Sequence, residues 1–128
     1  MQRNKFSGPD NRPYRPLRKF HVIMSGLRFA AINDFSVLYK LILSLLILVP
    51  VLIFNTPLDV SLLVLATGFM LAAELLNTTI ESICDYIQPE FDEKIGVIKD
   101  VAAAATGIAI FVWVVVLVIE LYEIWSHL

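Results

Sequence analysis

The segment AAELLNTTIESICD, residues 72–85, puts Glu74, Asn77, Thr78, Glu81 and Asp85 inside or just beyond an otherwise apolar run. Carboxylates and amides of this kind hold cations and move protons. At 100° per residue, Glu74, Glu81 and Asp85 fall on one narrow helical stripe, with Asn77 and Thr78 flanking it. Eleven residues separate Glu74 from Asp85, about 16 Å along a helix axis. The stripe therefore runs from headgroup level into the hydrocarbon. A carboxylate at the centre of a spanning helix costs about 2.5–3.5 kcal/mol on insertion scales, and such residues mark functional sites. Three aligned acids also repel one another. A divalent cation, a basic partner or protonation must offset the charge.

A second charged cluster lies in QPEFDEKIGVIKD, residues 88–100, and includes Glu90, Asp92, Lys99 and Asp100. Most of it reads as a solvated loop. Lys99 and Asp100 differ because they open the next apolar run, VAAAATGIA. Adjacent helical residues point different ways, so one can reach the acidic stripe while the other meets water or a nucleotide. Asp34 ends an upstream helix at the same headgroup level. Asp34 and Glu81 offer oxygen ligands of the kind Mg²⁺ takes, one or two carboxylates beside phosphate oxygens and water. Together these residues describe phosphoryl transfer at a membrane surface, a chemistry of positioning and electrostatic stabilisation. Asp34 and Glu81 would hold Mg²⁺ on nucleotide phosphates, Lys99 would neutralise phosphate charge, and Glu74 would accept the proton of a lipid hydroxyl. No GxxxxGK[ST] loop and no kinase glycine-rich loop occurs.

The elements that position these residues are membrane spans. The chain is 58% hydrophobic, with a mean hydropathy of +0.75, well above a soluble domain. Its apolar residues gather in three runs, at about 36–54, 58–87 and 96–122. Each supplies the ~20 residues needed to cross ~30 Å of hydrocarbon. The last two overshoot, so their polar ends should project into the interface. Lys40, near the start of the first run, is expected to snorkel to the headgroups, and Pro50 to kink its far end. Before the spans, residues 17–33 place Phe20, Ile23, Met24, Leu27, Ala30 and Ala31 on one face, with Arg18, Lys19, Ser25 and Arg28 mostly off it. Such a basic amphipathic helix suits a membrane surface. Residues 1–16, with Pro9, Pro13 and Pro16, read as a flexible cytoplasmic tail outside the single domain at 17–128. The tail lacks the apolar core of a signal peptide, and Gln2 excludes myristoylation. Cys84 is the only cysteine, so no intrachain disulfide forms and a packing role is expected. Seven of the ten Lys/Arg precede Asp34, and none follows Lys99. The positive-inside rule then puts the N-terminus and the 85–98 loop in the cytoplasm and the C-terminus outside.

Three motifs resemble those of the small prokaryotic diacylglycerol kinase family, which includes undecaprenol kinases. E-x-x-N-[ST]-x-[IV]-E appears as Glu74-Leu75-Leu76-Asn77-Thr78-Thr79-Ile80-Glu81, followed by Asp85. K-D-x-[AG]-[AS]-A appears as Lys99-Asp100-Val101-Ala102-Ala103-Ala104. G-L-R-x-A-x-x-N-[ED] appears as Gly26-Leu27-Arg28-Phe29-Ala30-Ala31-Ile32-Asn33-Asp34. The resemblance covers roughly residues 15–122. It implies an all-α membrane protein with an N-terminal surface helix and three transmembrane helices, assembled as a homotrimeric bundle in the bacterial inner membrane. Active sites would lie between subunits at the cytoplasmic interface, using ATP and Mg²⁺. It also implies Glu74 as general base, Asn77 as an ordering residue, and Asp34 and Glu81 as metal ligands. Lys99, Asp100, Glu90, Phe91 and Asp92 would contact the nucleotide, and Arg15 would lie near its phosphates. Asp34 is shorter by one methylene than the Glu often found there. Val22 replaces a position that can hold Tyr and stack on adenine. Asp34-Phe35-Ser36 lacks the Arg-Asn that follows the acid in many undecaprenol kinases, which favours diacylglycerol as substrate.

Two other classes fit parts of the pattern. A proton- or cation-conducting oligomer would use Glu74 as a relay, but needs neither Lys99-Asp100 nor Asp34. A non-catalytic bundle would use its polar residues only to fix assembly.

Overall fold

The computed structural model describes residues 13–128. The expected tail at 1–16 therefore lies mostly outside the described residues. Those described form four helices and no strand: α1 (Pro16–Asn33), α2 (Phe35–Phe54), α3 (Pro57–Ile87) and α4 (Glu93–His127). Helices α2, α3 and α4 are each long and apolar enough to cross a membrane.

Local sequence sets each boundary. Pro16 opens α1 at its first turn, where a missing N–H costs nothing. Asp34 alone separates α1 from α2. Its backbone N–H donates to Ala30 O at 2.8 Å and closes α1. Its Oδ1 accepts from Ser36 N at 2.9 Å and caps α2. Pro50 does not end α2, which runs on to Phe54. Thr56 and Asp59 form a reciprocal capping box at the start of α3, with Pro57 in its first turn. Asp92 caps α4 by accepting from Lys94 N and Ile95 N at 2.9 and 3.1 Å.

α3 is the longest element before the final one, at 31 residues, and α4 has 35. These correspond to roughly 46 and 52 Å, so both exceed the hydrocarbon thickness, as the sequence suggests.

α3 and α4 share the most extensive interface, α2 packs on both, and α1 touches α2 and α3. The core joins Ile47 and Val51 of α2, Leu63, Ala66 and Met70 of α3, and Trp113, Leu117 and Ile124 of α4. Ala102, Thr106 and Ala109 are buried along one face of α4. Thr106 Oγ1 donates to Ala73 O at 3.3 Å, so small residues bring α3 and α4 close. Only 22–28% of each apolar window is buried within the chain. The remaining apolar surface is suited to lipid or to further protein.

Trp113 Nε1 donates to Ser44 Oγ at 2.9 Å and ties α4 to α2 in the buried interior. Trp113→Ala is expected to destabilise the folded protein by about 3 kcal/mol, the low end for such truncations in soluble cores. The value is low because lipid supplies little hydrophobic drive between helices. Unfolding of the detergent-solubilised protein by denaturing detergent checks it.

Candidate active site at the junction of α1, α2 and α3

Glu74 lies on α3 and is only 5% exposed. Burial of a carboxylate requires a partner, and α2 supplies one. Lys40, 3% exposed, forms an ion pair with Glu74 Oε1. Ser36 Oγ donates to the same oxygen at 3.4 Å and accepts from Lys40 Nζ. The ammonium also sits 5.4 Å from the Tyr39 ring centroid, within cation–π range. The expected snorkelling of Lys40 is thus overturned. A carboxylate 34 positions away in sequence draws it inward, because an ion pair offsets two burial costs at once.

The acidic stripe passes through different surroundings. Glu81 and Asp85 are exposed on the same helix that buries Glu74. The reason is the break at Asp34. α2 begins at Phe35, and its first turns cover α3 at Glu74. Glu81 Oε1 accepts from Asn77 Nδ2 at 3.2 Å. The side-chain Oδ1 of Asn77 is buried and has no hydrogen-bond partner among the described residues. Asp85 forms an ion pair with Lys99 across the α3–α4 turn. Lys99 therefore reaches the acidic stripe, while Asp100 stays exposed.

Asp34 is half-buried, with one carboxylate oxygen engaged in capping α2. Asp92 is occupied in capping α4. Arg15, Val22, Glu90 and Phe91 are exposed, Phe91 almost fully. Cys84 is buried, as a packing residue would be. Glu74 thus gathers Ser36 and Lys40, Glu81 gathers Asn77, and Asp85 gathers Lys99. Ser36 and Lys40 join the site without being among the residues expected from the sequence. Their signal is a serine and a lysine four apart in the first turns of an apolar helix, a spacing that puts both on one face.

The donor set around Glu81 suits a hard cation. The Glu81 carboxylate and the orphaned Asn77 Oδ1 are oxygen types Mg²⁺ takes, whereas among the described residues the side-chain contact of Asp34 is with Ser36, not with Glu81. Among the described residues, three acids that lie within 4.8 Å of one another occur elsewhere, as Asp59, Glu120 and Glu123. That group lies at the opposite end of the spans, where Asn55 Nδ2 donates to Glu120 Oε2 at 2.6 Å.

The family model for prokaryotic diacylglycerol kinase matches residues 21–121. The chain belongs to that family. The match takes in Asp34, Glu74, Asn77, Glu81, Lys99 and Asp100 and leaves Arg15 outside. No curated protein matches the chain significantly. As a member of the prokaryotic diacylglycerol kinase family, the protein is a membrane lipid kinase. The same stretch contains all three apolar helices of this diacylglycerol kinase relative almost complete.

Proposed function

We propose that the protein transfers the γ-phosphate of ATP to the hydroxyl of diacylglycerol, giving phosphatidic acid. The observation that carries this reading is a buried carboxylate at membrane depth, Glu74, held through one oxygen only. Among the described residues nothing bonds its Oε2, which is left to accept the proton of an incoming alcohol. Asp34 and Glu81, with Asn77 ordering the site, would hold Mg²⁺ on the ATP phosphates. When bound, the ion neutralises charge on the transferring phosphoryl group. Lys99 exchanges Asp85 for phosphate, while Asp100, Glu90, Phe91 and Asp92 meet the nucleotide and Arg15 its phosphates. Val22 provides no ring to stack on the base.

The same reading assigns the surroundings. α1 lies on the cytoplasmic face of the bacterial inner membrane, residues 1–16 form the cytoplasmic tail, and the C-terminus is outside. The apolar surface left open by α2, α3 and α4 supports a homotrimer with sites between subunits.

Purified protein in mixed micelles with γ-labelled ATP and Mg²⁺ tests the reading. Label should enter phosphatidic acid when diacylglycerol is offered. Preferential labelling of undecaprenol would move the assignment to undecaprenol kinase. Label in neither, with ion flux through proteoliposomes lacking ATP, would favour a cation conduit.

Lys99→Met tests the nucleotide contact. Charge-assisted hydrogen bonds contribute about 1.5–3 kcal/mol, so KM for MgATP should rise roughly ten- to hundredfold. KM for the lipid should hold, and steady-state kinetics reads both.

A further inference from the structure

Glu74 is held asymmetrically. Lys40 Nζ and Ser36 Oγ converge on Oε1 from one helix, and among the described residues Oε2 has no partner. Every strong interaction of the Lys40 ammonium belongs to this arrangement: Glu74 Oε1, Ser36 Oγ and the Tyr39 ring. The clamp also reaches the neighbouring acid. Ser36 donates through its backbone N–H to Asp34 Oδ1 at 2.9 Å and through its hydroxyl to Glu74. One helical turn therefore ties down two carboxylates on different elements.

We propose that Lys40, assisted by Ser36, is a positioning residue for phosphoryl transfer. Resting on the assignment of Glu74 as proton acceptor, it fixes Oε1 and thereby presents Oε2 to the acceptor hydroxyl. In the step so arranged, the alcohol O–H bond breaks and its oxygen bonds to the γ-phosphorus. The bond from that phosphorus to the β–γ bridging oxygen breaks, and its electron pair leaves on ADP. The alcohol proton passes to Oε2 and is later lost to water. Lys40 exchanges no proton and touches neither substrate. A free carboxylate in the same place would rotate about its last torsion and present its oxygens indifferently, since such torsions are broad. Misplacement of a reacting group by about 1 Å can cost around a hundredfold in rate.

The test compares Lys40→Met, Lys40→Arg and Ser36→Ala in the full-length protein, in diacylglycerol mixed micelles with MgATP. Turnover is normalised to the monodisperse folded fraction. Lys40→Met should lower kcat roughly 10- to 100-fold with KM for MgATP unchanged. Lys40→Arg, which still donates to Oε1, should recover most of the lost kcat. Ser36→Ala should lower kcat severalfold. Folded yield should fall on either reading, because a buried pair is broken; a purely structural pair would leave kcat per folded molecule alone, and that outcome overturns the proposal. Should Lys40→Met not fold, Ser36→Ala decides by itself, and an unchanged kcat overturns the proposal. Glu74→Gln run in parallel separates the two levels. If it is inactive while the α2 variants are normal, only the clamp falls. If it is active, Glu74 is not the proton acceptor and both assignments fall.

Discussion

Glu74→Gln is expected to lower kcat by about 10³-fold, within the 10²–10⁴-fold range of general-base contributions. The substitution is nearly isosteric, and the amide oxygen can still accept from Lys40 and Ser36. What it removes is the ability of the second atom to take a proton. KM for MgATP should therefore stay near its original value, because in the proposed site the nucleotide is held lower on the stripe, by Glu81 and Lys99. Loss of the negative charge also leaves the buried Lys40 cation hydrogen-bonded but without a counter-charge, at a cost of up to about 3–5 kcal/mol, the range for broken buried pairs. Some loss of stability is therefore expected alongside the loss of turnover. The double variant Glu74→Gln with Lys40→Met should regain that stability and stay inactive. Turnover within an order of magnitude of the original enzyme in Glu74→Gln would take this residue out of the chemistry.

Removal of the ligand charges should produce the second-largest effect. Glu81→Gln is expected to cost roughly 10²–10³-fold in kcat/KM, the scale seen when one preorganised electrostatic group is lost. The Mg²⁺ concentration for half-maximal rate should rise with it. Glu81 is exposed, so thermal stability should not change. Asp34 needs a more careful substitution because it caps α2. Serine is an equally good cap but carries no charge. Asp34→Ser should therefore keep the helix and its melting behaviour yet show the same Mg²⁺ defect, whereas Asp34→Glu should retain activity. Activity titrated against Mg²⁺ checks these outcomes. Unchanged Mg²⁺ dependence in both Glu81→Gln and Asp34→Ser would remove these residues from the metal site.

The sequence and the structure agree best where a physical pattern is continuous. Three long apolar runs read as helices, and helices α2 and α3 begin and end within one residue of the limits of the first two runs. α4 extends beyond the expected run at both ends, to Glu93 and His127, because polar residues there continue the helix past the apolar segment. Periodicity also placed Glu74, Glu81 and Asp85 on one face. It could not rank their burial, since that depends on where another helix starts. Lys40 was illegible for the same reason. A lysine near the start of a span has two low-energy destinations, the headgroups and a buried acid. Choosing between them requires knowing that α2 passes Glu74 on α3. The pairing of Lys99 with Asp85 was half legible: the reach toward the stripe could be read, but the particular acid could not.

The length of α3 has a consequence for how two immiscible reactants can meet. A rod of 31 residues measures roughly 46 Å, against hydrocarbon about 30 Å deep. An upright α3 thus has about 16 Å more length than the hydrocarbon needs, close to the interval between Glu74 and Asp85. A water-borne molecule can be gripped at the protruding end while an oil-borne one waits a few turns along the same rigid shaft. Neither has to leave its own solvent, because the shaft itself bridges the boundary.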